Sequence, residues 1–301
     1  MKKMRVVVML LLLSLACGMV HPTTAAAASK KYRVVKETHV EENTYSLYQY
    51  DQAKKQVTVT TYSTTDDSKM GYIIYDINAD GKMAKMTNYD SNGTVLSTMV
   101  YEYDANGKLS SRMNYDASGA TVWKYSAAWK HNAKGRLTEW TTYKEDGSVL
   151  SDETWKYDSK GREIKDVKTY TNSTDGTSWY RKMTYKAGRL VKTTTYSMDG
   201  TITGHSTYQY NSKGLAASET YYDTNGKTGV DKWKYDSKKR LIKSTGMFTD
   251  YSYTMILKYD AHGNESKDVY KYTKTDSSYT FTTLYQYEPA SGWNPVLVEQ
   301  L

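Results

Sequence analysis

One short pattern recurs along most of the chain and restricts its fold more than any other feature: an aromatic residue, Asp or Asn, two small or polar residues, Gly, then Lys or Arg. Clear copies are Tyr103-Asp104-Ala105-Asn106-Gly107-Lys108 and Tyr157-Asp158-Ser159-Lys160-Gly161-Arg162. Variants stand at Tyr210-Asn211 with Gly214, at Tyr235-Asp236 with Lys239 in the glycine place, and at Tyr259-Asp260 with Gly263. His131-Asn132 with Gly135 exchanges the aromatic, and Tyr185 with Gly188 is one residue short. Gly81, Gly107, Gly135, Gly161, Gly188 and Gly214 follow one another at intervals of 26 to 28 residues. Between them falls a second series: Tyr89 with Gly93, Tyr115 with Gly119, Tyr143 with Gly147, Tyr196 with Gly200, and Tyr222 with Gly226. The repeat is therefore about 26 residues long and holds two turns and two strands.

Turn chemistry explains the letters. Asp opening a type I turn accepts a hydrogen bond from the backbone two residues on, and Gly in fourth place takes the positive φ that lets the hairpin continue. Between turns the residues alternate with the period of a strand: Val149, Ser151, Glu153, Trp155 and Tyr157 face one way, Leu150, Asp152, Thr154 and Lys156 the other. No stretch after the N-terminal segment keeps a helical period or shows helix caps. The expected fold is all-β: roughly 16 to 20 antiparallel strands in a hairpin meander, forming a long, twisted, curved sheet that is open or partly closed. Composition fits such an array. The chain has 31 Tyr against 2 Phe and only 39% hydrophobic residues, so the buried layer must be thin or built of phenol rings.

The N terminus reads as an export signal. Lys2, Lys3 and Arg5 precede the apolar run from Val6 to Leu13, and Ala25 to Ala28 supply small residues for cleavage. This assigns 1–28 to a signal peptide and 29–301 to a single β array, the repeats being clearest over 70–290. The expected location is extracellular or at the cell surface. Ser14-Leu15-Ala16-Cys17 offers the alternative of a lipoprotein anchored through Cys17, the sole cysteine. Of the formal net charge of +8, three basic residues leave with the signal, and Lys and Asp alternate thereafter instead of forming basic blocks. That pattern speaks against nucleic acid and for weak attraction to anionic cell-wall or surface polysaccharide.

The sequence Tyr-Asp-x-x-Gly-Lys/Arg-Leu, as in Tyr103 to Leu109, resembles the YD repeat of the RHS and wall-associated protein families over about 70–290. The resemblance implies a long β-sheet that spirals into a shell, often around a C-terminal toxin, with carbohydrate binding in some members. Nothing after Tyr287 is similar to the terminal core of those proteins. A second resemblance is to MORN-like antitoxin repeats. A membrane β-barrel is the rival reading of exported alternating strands, but neither strand face is continuously apolar: Lys192 and Thr194 alternate with Val191 and Thr193.

Candidate sites are few. Asp76, Asn78 and Asp80 before Gly81 have the spacing of the first half of a calcium loop, although Thr87 stands where a bidentate Glu belongs. The same residues also make the repeat's ordinary turn, so calcium is the only cofactor the sequence raises. His39, His131, His205 and His262 form no zinc pair, and no nucleophile elbow or phosphate loop occurs. The one surplus is aromatic: Trp129, Trp155 with Tyr157, Tyr208 with Tyr210, and Trp233 with Tyr235 recur two residues apart in successive repeats. They are expected to stack as a ladder, serving as core or as a platform for sugar rings. The expected function is a noncatalytic extracellular or surface interaction module. The alternative is a secreted glycosidase-like hydrolase assembling carboxylates from several strands.

Overall fold

A computed structural model of the chain describes residues 32–172, 174, 176–274, 277–290, 293–295 and 297. The segment read as a signal peptide, with Cys17, lies outside these described residues. The described chain forms twenty strands. The first seven are β1 (Tyr32–His39), β2 (Thr44–Asp51), β3 (Gln56–Ser63), β4 (Lys69–Ile77), β5 (Met83–Asp90), β6 (Val95–Tyr103) and β7 (Leu109–Asp116). There follow β8 (Thr121–His131), β9 (Leu137–Tyr143), β10 (Val149–Tyr157), β11 (Glu163–Tyr170), β12 (Trp179–Lys186), β13 (Arg189–Ser197) and β14 (Ile202–Tyr210). The last six are β15 (Ala216–Asp223), β16 (Gly226–Tyr235), β17 (Leu241–Phe248), β18 (Tyr251–Tyr259), β19 (Glu265–Lys274) and β20 (Ser277–Pro289).

Each strand pairs antiparallel with the next, and β1 comes back beside β20, from Tyr32 opposite Pro289 to His39 opposite Thr283. The sheet is thus the twisted antiparallel meander that the sequence predicts, and the β1–β20 pairing closes it into a ring. Closure follows from accumulated twist and is favoured because it pairs the two edges that an open meander would leave to solvent. Twenty strands about 4.8 Å apart give a circular section roughly 30 Å across before tilt widens it. Accordingly, among the described residues only neighbouring strands come together, and opposite walls do not touch.

The concave side of such a ring crowds its side chains, and the most buried residues share that side. Val57, Tyr101, Leu109, Asp166, Glu219, Asp231, Trp233 and Leu257 all face inward. The core is a lining with two apolar clusters, one on Met83, Tyr101 and Leu109 and one on Trp233, Leu241 and Leu257. On the outer side Thr and Lys dominate. A lipid-facing band would lose about 2–4 kcal/mol for each lysine at its midplane, so this is not a lipid face.

The repeated motif is a clasp between successive hairpins. Asp158 Oδ1 accepts the backbone N–H of Arg162 at 2.9 Å, and Asp104 does the same for Asn106 (2.9 Å) and Lys108 (2.7 Å). The hydroxyl of Tyr157 reaches back to donate to the Leu137 carbonyl (2.6 Å), Tyr210 to Leu190 (2.8 Å) and Tyr259 to Leu241 (2.7 Å). The basic residue lies over the next repeat's ring, Arg136 over Tyr157 at 5.8 Å and Arg240 over Tyr259 at 4.2 Å. Gly161 has φ +79° and also makes room for the Arg136 guanidinium, which a Cβ there would strike. Gly107, Gly135, Gly214 and Gly263 share the positive φ, and Lys239, in the glycine place, holds φ at +66°.

Candidate functional site

The inner wall of β10–β16 carries a chain of charges that no apolar lining would need. Asp166, with no exposed surface, receives the Arg181 guanidinium through Nε at 2.9 and 3.1 Å and again through a terminal nitrogen. Burial works to lower the Arg181 guanidinium, but the hydrogen bond and charge of Asp166, helped by Glu163 and Glu153, raise it above its ordinary value, and Glu153 pairs with Lys168 at 3.5 Å. Three strands beyond Arg181, Glu219 and, on the next strand, Asp231 are direct cross-strand partners, 2% and 1% exposed. Asp231 is satisfied by tyrosine: Tyr221 donates to Oδ2 at 2.8 Å and Tyr253 to Oδ1 at 2.7 Å. Burial pushes the Glu219 carboxyl above the ordinary carboxylate range, and Asp231 adds to the shift. Burial and the adjacent carboxylates in turn raise the Tyr221 hydroxyl.

Glu163 and Glu265 occupy the slot two residues after the turn, where other repeats place Leu109, Leu137, Leu190 and Leu241. Desolvation raises both to about 7, with Asp166 adding to Glu163 and Asp268 to Glu265. An unfolded Glu titrates near 4.3, so between that value and about 7 the folded state binds more protons than the unfolded one. Stability from these groups is full below the unfolded pKa and is lost as pH rises towards 7. The melting temperature should therefore fall between pH 5 and 8, and Glu163→Gln with Glu265→Gln should flatten that fall. A double variant with the wild-type pH profile would show these carboxyls to be solvated.

The residues singled out from sequence fall as follows. Trp129, Trp155, Tyr157, Tyr208, Tyr210, Trp233 and Tyr235 are all on inward-facing positions, yet they do not form one ladder. Trp129 stacks on Trp140 (5.1 Å) and donates to the Leu109 carbonyl (2.7 Å), the clasp role that Tyr157 and Tyr210 take in other repeats. Tyr208 shares a hydrogen bond with Thr193 at 3.0 Å, Trp155 stands opposite Asp166, and Trp233 with Tyr235 belongs to an apolar cluster. Successive repeats put these rings one hairpin apart, so hydroxyls find backbone where rings would have found rings. Asp76 accepts from Gln56 (2.8 Å), while Asn78 Oδ1 accepts the N–H groups of Asp80 and Lys82. These oxygens serve a turn and a strand pair and do not converge.

Besides the inner stacks, which include Phe248 with Tyr251 and Tyr253 with Tyr270, the outer face carries its own: Tyr45 with Tyr62, Tyr72 with Tyr89, Tyr180 with Tyr196, and His205 with Tyr222, at 4.5 to 5.2 Å. Lysines cover them, Lys69 over Tyr72 at 4.0 Å and Lys165 over Tyr180 at 4.5 Å. On the same face lysine opposes lysine across strands: Lys156 with Lys165, Lys165 with Lys182, Lys234 with Lys243, and Lys258 with Lys267. Lys234, Lys243 and Lys258 border a groove of about 550 Å³ with Ile242 and Ile256 between them.

No family model matches this sequence, and no curated protein matches it. Among solved structures, "TcdB2-TccC3-Cdc42" aligns at 15% identity and a TM-score of 0.39, over 79% of this chain and 14% of that one. A "TcdB2-TccC3" structure aligns at 11% identity and a TM-score of 0.27, over 81% and 18%. A porin-like protein from Bacteroides uniformis aligns at 13% and 0.33, over 85% of this chain and 98% of that one. The chain thus spans about a seventh of the first of these.

Proposed function

We propose that this protein is a noncatalytic binding shell, acting outside the cytoplasm, whose outer face attaches to an anionic polysaccharide or a related cell-surface polymer. The observation that carries this reading is the cross-strand lysine pairing. Like charges directly opposite one another destabilise a sheet, and none of these seven lysines has a carboxylate within 4 Å among the described residues. A polymer with regularly spaced anions relieves that repulsion at several strands together, and the tyrosine pairs beneath the lysines offer flat faces to sugar rings. The hydrolase alternative asks for two carboxylates that reach one substrate. Glu219 borders a cavity, but Asp231 beside it has both oxygens held by tyrosine hydroxyls.

The purified protein should be retained on dextran sulfate or polygalacturonate at low ionic strength and released as salt rises. A Lys234→Gln, Lys243→Gln, Lys258→Gln variant should elute at lower salt with its melting temperature maintained or raised. Equal retention on a neutral glucan at high salt would transfer the binding role to the aromatics. Retention on neither matrix would end the reading.

A further inference from the structure

The meander sorts charge between the two ends of the ring. Because each strand reverses the one before, the turns of the series from Gly81 to Gly263 all lie at one end, and those of the series from Gly93 to Gly226 at the other. Turns of the first series mostly close in a base, as at Lys108, Arg136 and Arg189, whereas the second series closes in Thr94, Ala120, Ser148 or Thr201, except at Lys227. The acids of the first series are spent on their own turns. Asp104, Asp158, Asp236 and Asp260 are half-buried, each with Oδ1 accepting a backbone N–H four residues on. Taking the turns with the strand residue on either side, the first rim carries ten exposed Lys and Arg against one exposed acid, Asp80, among the described residues. The second carries ten exposed Asp and Glu against two exposed bases, Lys69 and Lys274.

We propose that the ring binds a second copy of itself head to tail along a common axis, the basic rim of one copy against the acidic rim of the next. Closure makes the rims matching circles, since both are cut from the same twenty strands. It also leaves no strand edge for lateral addition, so contact between copies at the ends is made by turns and their charges. Like-charged rims repel, which disfavours head-to-head and tail-to-tail pairs, while opposite rims steer each other together. The area suffices. Twenty strands give a circumference of roughly 95 Å, and a wall about 10 Å thick then presents roughly 1,000 Å² on each rim, the size of a specific interface. Because two different surfaces meet, each pair still offers one free rim of each sign, and the contact propagates as a stack. An anionic polymer would answer the basic rim alone, whereas a second copy answers both. The rims are separate from the opposed lysines of the outer face, so this inference and the polysaccharide reading can fail independently.

The test is sedimentation velocity of the purified protein over a concentration series, at about 0.01 M and about 1 M salt, between which the screening length falls from about 30 Å to about 3 Å. Species larger than one ring are expected at low salt and single rings at high salt. A basic-rim variant, Lys134→Glu with Lys160→Glu and Lys213→Glu, should self-associate about tenfold or more weakly, and so should an acidic-rim variant, Glu42→Lys with Glu145→Lys and Asp250→Lys. Mixing the two should restore association, because each keeps the rim that the other has lost, and restoration shows that both are folded. The outer-face variant Lys234→Gln, Lys243→Gln, Lys258→Gln should associate as wild type does. Single rings at every salt and concentration would overturn the proposal. So would association that strengthens with salt, that survives either rim variant, that mixing does not restore, or that the outer-face variant abolishes. If a triple variant does not fold, Lys134→Glu and Glu145→Lys carry the same test, singly and mixed.

Discussion

Replacing Arg181 by methionine should destabilise the protein by about 3–5 kcal/mol, the usual loss when one member of a buried ion pair is removed. Asp166 would be left fully buried without its guanidinium, with Glu153 and Glu163 nearby and Lys168 the remaining cation. The deeper expectation concerns the double variant Arg181→Met, Asp166→Leu. Removing both charges removes the desolvation cost along with the attraction, so the double variant should recover most of the stability lost by the single one. Urea denaturation measures all three. A single variant within about 1 kcal/mol of wild type would mean that Asp166 is hydrated through the lumen, and that the inner wall is not a low-dielectric surface.

The second large effect is expected at Gly246, where no turn is involved. Gly246 stands opposite both Asp231 and Tyr253, and the Tyr253 ring crosses directly over it to bring its hydroxyl to Asp231. A Cβ at this position would collide with the ring and come within 2.7 Å of Asp231 Oδ1. Gly246→Ala should therefore displace Tyr253 and break its hydrogen bond to the buried Asp231 carboxylate, at about 2–3 kcal/mol for overpacking and the lost bond together. Tyr253→Phe should show the lost hydrogen bond alone, and the two substitutions together should be less than additive because they break the same contact. Additive losses would mean that the ring does not depend on the glycine. Gly229 under Phe248 repeats the device one strand pair away, ring over glycine across the sheet.

Particular residues show where sequence reasoning succeeded and where it stopped. Asp104, Asp158 and the glycines after them were legible because a turn is a local object: its hydrogen bonds close within five residues, so the letters alone specify it. Glu163 and Glu265 went unread, although comparing repeats position by position sets them as acids in a slot that other repeats fill with leucine. Asp166, Arg181, Glu219 and Asp231 left no such trace. Each looks like one polar residue in an alternating strand, and the chain does not announce which alternate face is concave.

What the sequence determined by itself was the strand, the turn and their period, since φ at Gly161, capping by Asp158 and the alternation of Trp155 with Lys156 depend on neighbours in the chain. Tertiary structure alone decided that the ring closes, because β1 and β20 meet across more than 240 residues of separation. It also decided which face is inside, and so turned one set of strand positions into buried carboxylates and the other into opposed lysines. The physical reason is that twist accumulates strand by strand over the whole sheet. Closure, curvature and the burial that follows from them belong to all twenty strands together and to no single repeat.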